Sequence, residues 1–306
     1  MPSWERPIQC GSGMTETGRI GFIGVGVMGE PMCRNLAQKS GRAVIALDRD
    51  SEPLGRLRTA GVEAAENIAV LSRTCGIIFM ALPSGKHVEA VSSGPDGLIA
   101  HARAGQIIVD LGTSPVDLTR ALAAQFAAKG AHYADAPIAR TRQAAEDGTL
   151  SIMVGADAKT FAAIKPLLAC CATDITHCGL VGSGQIVKIL NNMVLVETVV
   201  ALSEALVVAR RAGLDGKVLF ETLTKGSADS FALRDHGMKA VLPNIFPERA
   251  FSADYMRKDI GYALNLAAEV GARVPGAELA GRLLEEASKA GFGDFYWPVV
   301  SRVIGA

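Results

Sequence analysis

Arg19-Ile20-Gly21-Phe22-Ile23-Gly24-Val25-Gly26-Val27-Met28-Gly29 is the stretch that decides the fold. Its first five residues are a short, largely apolar run that reads as a buried strand. The run ends directly in Gly24-x-Gly26-x-x-Gly29, and Met32, Leu36 and Ala37 then follow a helical pattern. Three glycines at this spacing carry meaning only after a strand and at the opening of a helix, and both conditions hold here. Gly24 permits the tight turn, Gly26 lets the backbone approach a pyrophosphate, and Gly29 allows the helix to pack closely on the strand. The helix N-terminus adds free N–H groups and the positive end of a dipole, which suit phosphate.

Outward from that stretch, Ala43-Val44-Ile45-Ala46-Leu47 predicts a second strand ending at Asp48. A carboxylate about 20 residues past the glycines, at the end of the second strand, is placed to accept from a ribose 2′-OH. Asp48 therefore points to NAD, while Arg49, next in the chain, suits a 2′-phosphate and leaves NADP open. Ile77-Ile78-Phe79-Met80-Ala81-Leu82 and Ile107-Ile108-Val109 predict further buried strands, with helical patterns between them, including 116–129. Alternation of this kind predicts a parallel, doubly wound sheet whose ligands lie beyond the strand C-terminal ends. Those ends are Gly24–Gly29, Asp48, Leu82-Pro83 and Thr113. A turn and strand over 148–155 and a strand at 173–176 follow. After residue 213 only helical periodicity remains, which predicts an all-α second domain.

Gly182-Ser183-Gly184-Gln185-Ile186-Val187-Lys188-Ile189-Leu190-Asn191-Asn192 lies at the joint, and an apolar run to Ala212 follows it. The stretch predicts the start of a long buried helix. Residues three and four apart share a helix face, so Lys188, Asn191 and Asn192 project together, with Gly184 leaving space one turn earlier. A lysine and two amides on an apolar helix need polar partners. Taken alone, they also fit a lysine snorkelling from a helix end beside ordinary polar neighbours.

Composition bounds the rest. The 306 residues are long enough for two domains, and 49% apolar, 20% charged and zero net charge describe an ordinary globular chain. Neutrality gives no footprint for nucleic acid or an anionic membrane. The six cysteines form no CxxC pair, and the adjacent Cys170-Cys171 suits no usual zinc spacing. We expect free thiols, no metal and a reducing cytoplasm. Residues 1–18 lack the apolar core of a signal peptide and are expected to form a flexible extension. No G-x-S-x-G elbow or Cys/His pairing points to a hydrolase. His87, His101, His132, His177 and His236 have no catalytic partner motif, although His87 follows Leu82-Pro83 closely enough to approach a cofactor.

Together these pieces resemble the β-hydroxyacid dehydrogenase family, which includes 3-hydroxyisobutyrate dehydrogenase and tartronate semialdehyde reductase. The resemblance covers residues 19–300. Phe22-Ile23-Gly24-Val25-Gly26-Val27-Met28-Gly29-Glu30-Pro31-Met32 followed by Asn35-Leu36 looks like the family's cofactor signature. Asp135-Ala136-Pro137, Gly148-Thr149-Leu150, the Gly184…Lys188…Asn192 block and Lys258-Asp259 fall in the family's order and spacing.

The resemblance implies an α/β architecture: a Rossmann-like domain over 19–181, then an interdomain helix and a helical C-terminal domain over 182–306, akin to 6-phosphogluconate dehydrogenase. It implies Lys188 as the catalytic acid/base, with Asn191 and Asn192 holding it and the substrate. Gly24, Gly26, Val27, Met28, Gly29, Asp48, Arg49, Leu82, Pro83, Thr113 and Lys258 are then the cofactor residues. The expected partner is a small anionic hydroxy acid or semialdehyde, and the expected assembly a homodimer or homotetramer. The chain departs from the family at Ala139-Arg140-Thr141, where the family usually has Ser-Gly-Gly against the substrate carboxylate. A similar Gly-Arg-Thr variant occurs in the sulfolactaldehyde reductase branch. Arg140 then either binds a larger or second anionic group, or Arg140 or Arg142 points outward and pairs with Glu146 or Asp147. A non-catalytic dinucleotide-binding protein and an imine reductase are alternative readings, and Lys188 speaks against both.

Overall fold

A computed structural model describes residues 18–248 and 250–305. The expected N-terminal extension, apart from Gly18, lies outside the described residues. The strands are β1 (Arg19–Ile23), β2 (Val44–Leu47), β3 (Glu63–Ala64), β4 (Cys75–Met80), β5 (Ile107–Asp110), β6 (His132–Asp135), β7 (Ile138–Ala139), β8 (Leu150–Gly155) and β9 (Ala172–Gly179). The helices of the first half are α1 (Gly29–Lys39), α2 (Ser51–Leu57), α3 (Ile68–Thr74), α4 (Gly85–Ser92), α5 (Leu98–His101), α6 (Val116–Ala127), α7 (Arg142–Asp147) and α8 (Ala158–Leu168). The second half contains α9 (Ser183–Arg211), α10 (Gly216–Leu223), a π-helical segment (Ala232–Val241), α11 (Ala253–Glu269) and α12 (Pro275–Ala287).

The strands form one nine-stranded sheet in the order β3-β2-β1-β4-β5-β6-β8-β7, with β9 beside β8. From β3 to β6 every pairing is parallel. Burial on both faces explains why these strands read as continuous apolar runs. Alternate residues go to opposite faces. Phe22, Phe79 and Val109 pack with Met32 and Leu36 of α1 and with Ile164 of α8. On the other face Ile45, Ile78 and Ile108 pack with Leu71 of α3 and with Leu122 and Phe126 of α6. The sheet departs from the all-parallel expectation beyond β6. There β8 pairs antiparallel with β6 and β7, and β9 runs parallel to β8. The reversal falls at the connection from β7 to β8, residues 140–149 including α7, which is shorter than the crossover of about a dozen residues or more that a parallel return needs.

The chain separates into two compact units. The first runs to Gly112 and resumes over Leu118–Val181; the second comprises Thr113–Asp117 and Gly182–Ala306. The short Thr113–Asp117 stretch, although it leads from β5 into the first residues of α6, thus belongs with the helical unit. The reason is local: Ser114 N–H donates to the buried Gln185 Oε1 at 3.1 Å, and Val116 packs with Ile189 and Ala263. The core of this second unit gathers Val196, Val199 and Leu206 of α9 around Phe220, Met256, Leu284 and Trp297. Among its described residues, β pairing is limited to two isolated bridges, Glu248 with Phe295 and Ser252 with Tyr296.

α9 has an 18-residue window of mean hydropathy 1.8, long and apolar enough to cross a membrane by composition. Its buried residues, however, include Ile189, Val196, Val199, Leu202 and Leu206, a 3–4 spacing that faces a protein core.

Candidate active site

In the first unit the strand order reverses between β1 and β4, so the loops after these strands border the crevice where such sheets take ligands. The β1 loop is built by its glycines. Gly24 has φ +88°, and a Cβ there would lie 2.5 Å from the Ala81 carbonyl oxygen. At Gly29 a Cβ would stand 1.9 Å from the Gly24 carbonyl oxygen. Both positions are therefore closed to side chains by the protein itself. Gly26 differs, because nothing lies within 4 Å of the Cβ it lacks. The space over Gly26 is what a phosphate group needs to reach the backbone. Val27 is 56% exposed, and Met28 at the N-cap of α1 makes no side-chain cap bond.

Asp48 closes this site. Its Oδ2 accepts from Val25 N at 2.6 Å and its Oδ1 from Asp50 N at 2.9 Å. The carboxylate is thus fixed against the glycine loop, while Arg49 beside it is exposed. Leu82 is half-buried and Pro83 exposed at the end of β4, where Ser84 Oγ and His87 Nδ1 lie 2.8 Å apart. These residues fit a dinucleotide: open backbone for the pyrophosphate, a helix N-terminus behind it, and a fixed carboxylate for a ribose.

The substrate-loop candidates lie in the same unit. Ala139 is half-buried in β7 opposite Ser151. Thr141 N-caps α7 by accepting from Ala144 N. Arg140 has φ +85°, a left-handed conformation that favours glycine, as in the family pattern. Its Nη1 donates to the Thr149 carbonyl at 2.6 Å and to Thr173 Oγ1 at 2.9 Å, and its Nη2 to Asp174 Oδ2 at 2.6 Å. Its ion-pair partner is thus Asp174 on β9, whereas Glu146 pairs with Arg142. Asn35 of α1 donates to the carbonyls of Ala145 and Glu146, tying the cofactor helix to the C-terminal end of α7.

The second unit brings Lys188, Asn191 and Asn192 together with a partner 67 residues on. Asn191 Nδ2 donates to Asn192 Oδ1 at 3.1 Å, and Asn192 Nδ2 donates to Asp259 Oδ2 at 2.7 Å. Asp259 is 1% exposed. Lys258 Nζ stands 3.0 Å from Asp259 Oδ1 and lies over the rings of Tyr255 and Tyr262, at 5.5 and 5.1 Å. Burial holds the Lys188 amine below the usual lysine range; the Asp259 carboxylate opposes that shift and the Lys258 cation adds to it. Thr113 is half-buried and belongs to this second unit rather than to the dinucleotide unit.

Asp259 and Gln185 are the residues that sequence reasoning missed as parts of the site. A signal existed for Asp259: it interrupts the buried stripe of α11 between Met256 and Ala263, where an apolar residue is expected.

Four cysteine thiols serve packing. Cys33, Cys75, Cys170 and Cys171 are buried and free. Burial pushes the Cys171 thiol up to about 12 and Cys33 higher still, which suppresses the thiolate that a metal or electrophile requires.

The first unit thus carries a switch-point dinucleotide cradle, and the second, helical unit carries a half-buried lysine whose amine burial holds below the usual lysine range. Comparison with known proteins identifies the class. Residues 19–179 match the NAD binding domain of 6-phosphogluconate dehydrogenase, and residues 182–295 match the NAD-binding domain of NADP-dependent 3-hydroxyisobutyrate dehydrogenase. The 2-(hydroxymethyl)glutarate dehydrogenase of Eubacterium barkeri is 36% identical, covering 92% of both chains. The 3-hydroxyisobutyrate dehydrogenase of Pseudomonas aeruginosa is 34% identical, covering 86% of this chain and 90% of its own. Among solved structures, Mycobacterium tuberculosis 3-hydroxyisobutyrate dehydrogenase with L-serine superposes with a TM-score of 0.86 at 28% identity, covering 94% of this chain and 99% of that one.

The chain belongs to the β-hydroxyacid dehydrogenase family. It is a nicotinamide-dependent hydroxy acid oxidoreductase, taking NAD with NADP open.

Proposed function

We propose that the protein interconverts a small β-hydroxy acid carrying a second anionic group and the corresponding semialdehyde, with Lys188 as the general acid/base. The observation that carries the reading is the half-buried Lys188 on α9, one turn from an Asn192 whose amide is fixed by Asp259. Nicotinamide dinucleotide, when bound, supplies the hydride acceptor or donor. Lys188 does the proton work: neutral, it takes the hydroxyl proton during oxidation; protonated, it returns it to the aldehyde oxygen during reduction. Burial favours the neutral form that oxidation requires. In its charged form the same amine stabilises a developing alkoxide. Asn191 and Asn192 orient the substrate, and Gly24, Gly26, Val27, Met28, Gly29, Asp48, Leu82 and Pro83 hold the cofactor. Asp48, fixed by two backbone N–H groups, favours NAD over NADP by repelling a 2′-phosphate.

The second anionic group is argued from Arg140. A guanidinium has five N–H donors, and three of them are engaged by Thr149, Thr173 and Asp174. The remaining edge of a 41% exposed side chain suits a carboxylate or sulfonate. Substrates of this class include dicarboxylic and sulfonated hydroxy acids.

Self-association as a dimer or tetramer is part of the same reading. Val187, Leu190, Val194 and Val208 stay exposed along α9, and light scattering of the purified chain tests it. Buried free thiols suit the cytoplasm.

Lys188→Ala decides the central claim. We expect kcat to fall by about a thousandfold, while dinucleotide affinity, measured by calorimetry, stays within about twofold. Near-normal turnover overturns the mechanism. A panel of mono- and dianionic 3-hydroxy acids with both cofactors then identifies the substrate class.

A further inference from the structure

The Asn192 amide is fixed at both ends, and this has a consequence for what the site can recognise. An ionised carboxylate only accepts hydrogen bonds, so the Asp259 oxygen 2.7 Å away can face only the Nδ2 end of Asn192. The Oδ1 end is taken by Asn191 Nδ2. Asn192 therefore has one N–H left, and its amide is oriented, with Nδ2 toward Asp259 and one lone pair of Oδ1 accepting from Asn191. Asp259 in turn is buried and holds Lys258 at 3.0 Å, and Lys258 is itself flanked by Tyr255 and Tyr262. One carboxylate thus orders an amide on α9 and a cation on α11.

We propose that Asp259 is the positioning residue of the site: it makes Asn192 a hydrogen-bond donor toward an anionic or carbonyl oxygen of the substrate, and by pairing with Lys258 it leaves Lys188 as the lysine that exchanges the proton. The inference rests on the reading of Lys188 as the acid/base and extends it to the residues that set its surroundings. The charged groups acting on Lys188 are Asp259 and Lys258, both on α11, with opposite signs. The polar groups packed near the start of α9, Gln185 and Ser114, are neutral. The two charges therefore bear on proton exchange in opposite directions, a signature that loss of structure does not imitate.

In the oxidation direction Lys188 must be neutral, so kcat/KM rises with pH through its titration. Asp259→Asn removes a negative neighbour, making Lys188 easier to deprotonate, and the rising limb moves to lower pH. Lys258→Met removes a positive neighbour, and the limb moves to higher pH. The first variant also frees the Asn192 amide to rotate, so kcat/KM for the hydroxy acid falls about tenfold to a hundredfold, as expected for losing a charged hydrogen bond.

The experiment measures pH–rate profiles for both variants. It adds the pH dependence of Lys188 acetylation by acetic anhydride, read by mass spectrometry on protein without substrate, which needs no turnover. Opposite limb shifts, matched by opposite shifts in acetylation, are the expected result. A limb that stays in place in Asp259→Asn, or moves the same way in both variants, overturns the proposal. If Asp259→Asn does not fold, Lys258→Met decides alone, and a limb unmoved or shifted to lower pH overturns the proposal. If Lys188→Ala keeps its turnover, the acid/base reading fails first. If it loses turnover while the limbs stay put, only the role of Asp259 fails.

Discussion

The two units of this chain work through different parts of the polypeptide. The dinucleotide unit acts through backbone: its decisive residues are glycines, and what matters is where a Cβ is missing. The helical unit acts through side chains, in a chain of contacts from Asn191 through Asn192 and Asp259 to Lys258. A backbone device is compact in sequence because turn, approach and packing all occur within six residues. A side-chain device spans whatever separation the helices impose.

Four substitutions sharpen this contrast. The largest effect is expected for Gly29→Ala. Its Cβ would meet a backbone oxygen at 1.9 Å that has no rotamer to yield, so stability falls by about 3 kcal/mol or more. A thermal melt unchanged from the parent would show that the loop moves freely.

Next comes a side-chain effect in the helical unit. His236 is buried against Trp297 with Nδ1 2.6 Å from the Tyr296 hydroxyl, and burial lowers it to about 4. The folded state then binds fewer protons than the unfolded chain between about pH 6.5 and 4. Its contribution is complete above the unfolded value and is lost as pH falls through that window, on the order of 3 kcal/mol in total. Unfolding of His236→Gln should show a flatter pH dependence across the window; a parallel curve would remove His236 as the cause.

Gly26→Ala tests the backbone device without touching the fold. Its Cβ enters open space, so the melt should hold while NAD affinity, by calorimetry, falls about tenfold or more. Equal loss in both would make Gly26 a structural glycine like Gly29. The smallest effect is expected for Arg140→Gly, which removes the guanidinium and relieves the φ of +85°. KM should rise about tenfold for a dianionic substrate and little for a monocarboxylate. Equal changes would place the guanidinium outside recognition.

The same contrast explains what could be read in advance. The parallel strands were legible because burial on both faces makes them continuous apolar runs, and the β1 loop because glycine spacing carries its geometry. Lys188 and the two asparagines were legible as a local helix face. The reversal of the sheet at β8 was not, since a strand's direction depends on the length of its connection more than on its own residues. Asp174 as the partner of Arg140 and Asp259 as the partner of Asn192 were hidden for another reason. Each pair joins elements tens of residues apart, and nothing in either residue names the other. Asp259 did leave a trace, as an acid on the buried stripe of an amphipathic helix, a place where an unpaired charge is too costly to persist.

The placement of Thr113–Asp117 bears on modularity. A single cut at 181/182 looks sufficient to part a dinucleotide module from a helical one. Yet the helical unit borrows five residues from the middle of the other, and Gln185 and Ile189 are completed by Ser114 and Val116. A fragment starting at Gly182 would carry Lys188 on a helix whose first turns have lost their neighbours. Grafting this lysine onto a new cofactor domain therefore means transplanting two pieces of chain, and recombination between relatives would be tolerated only where the loop after β5 travels with α9.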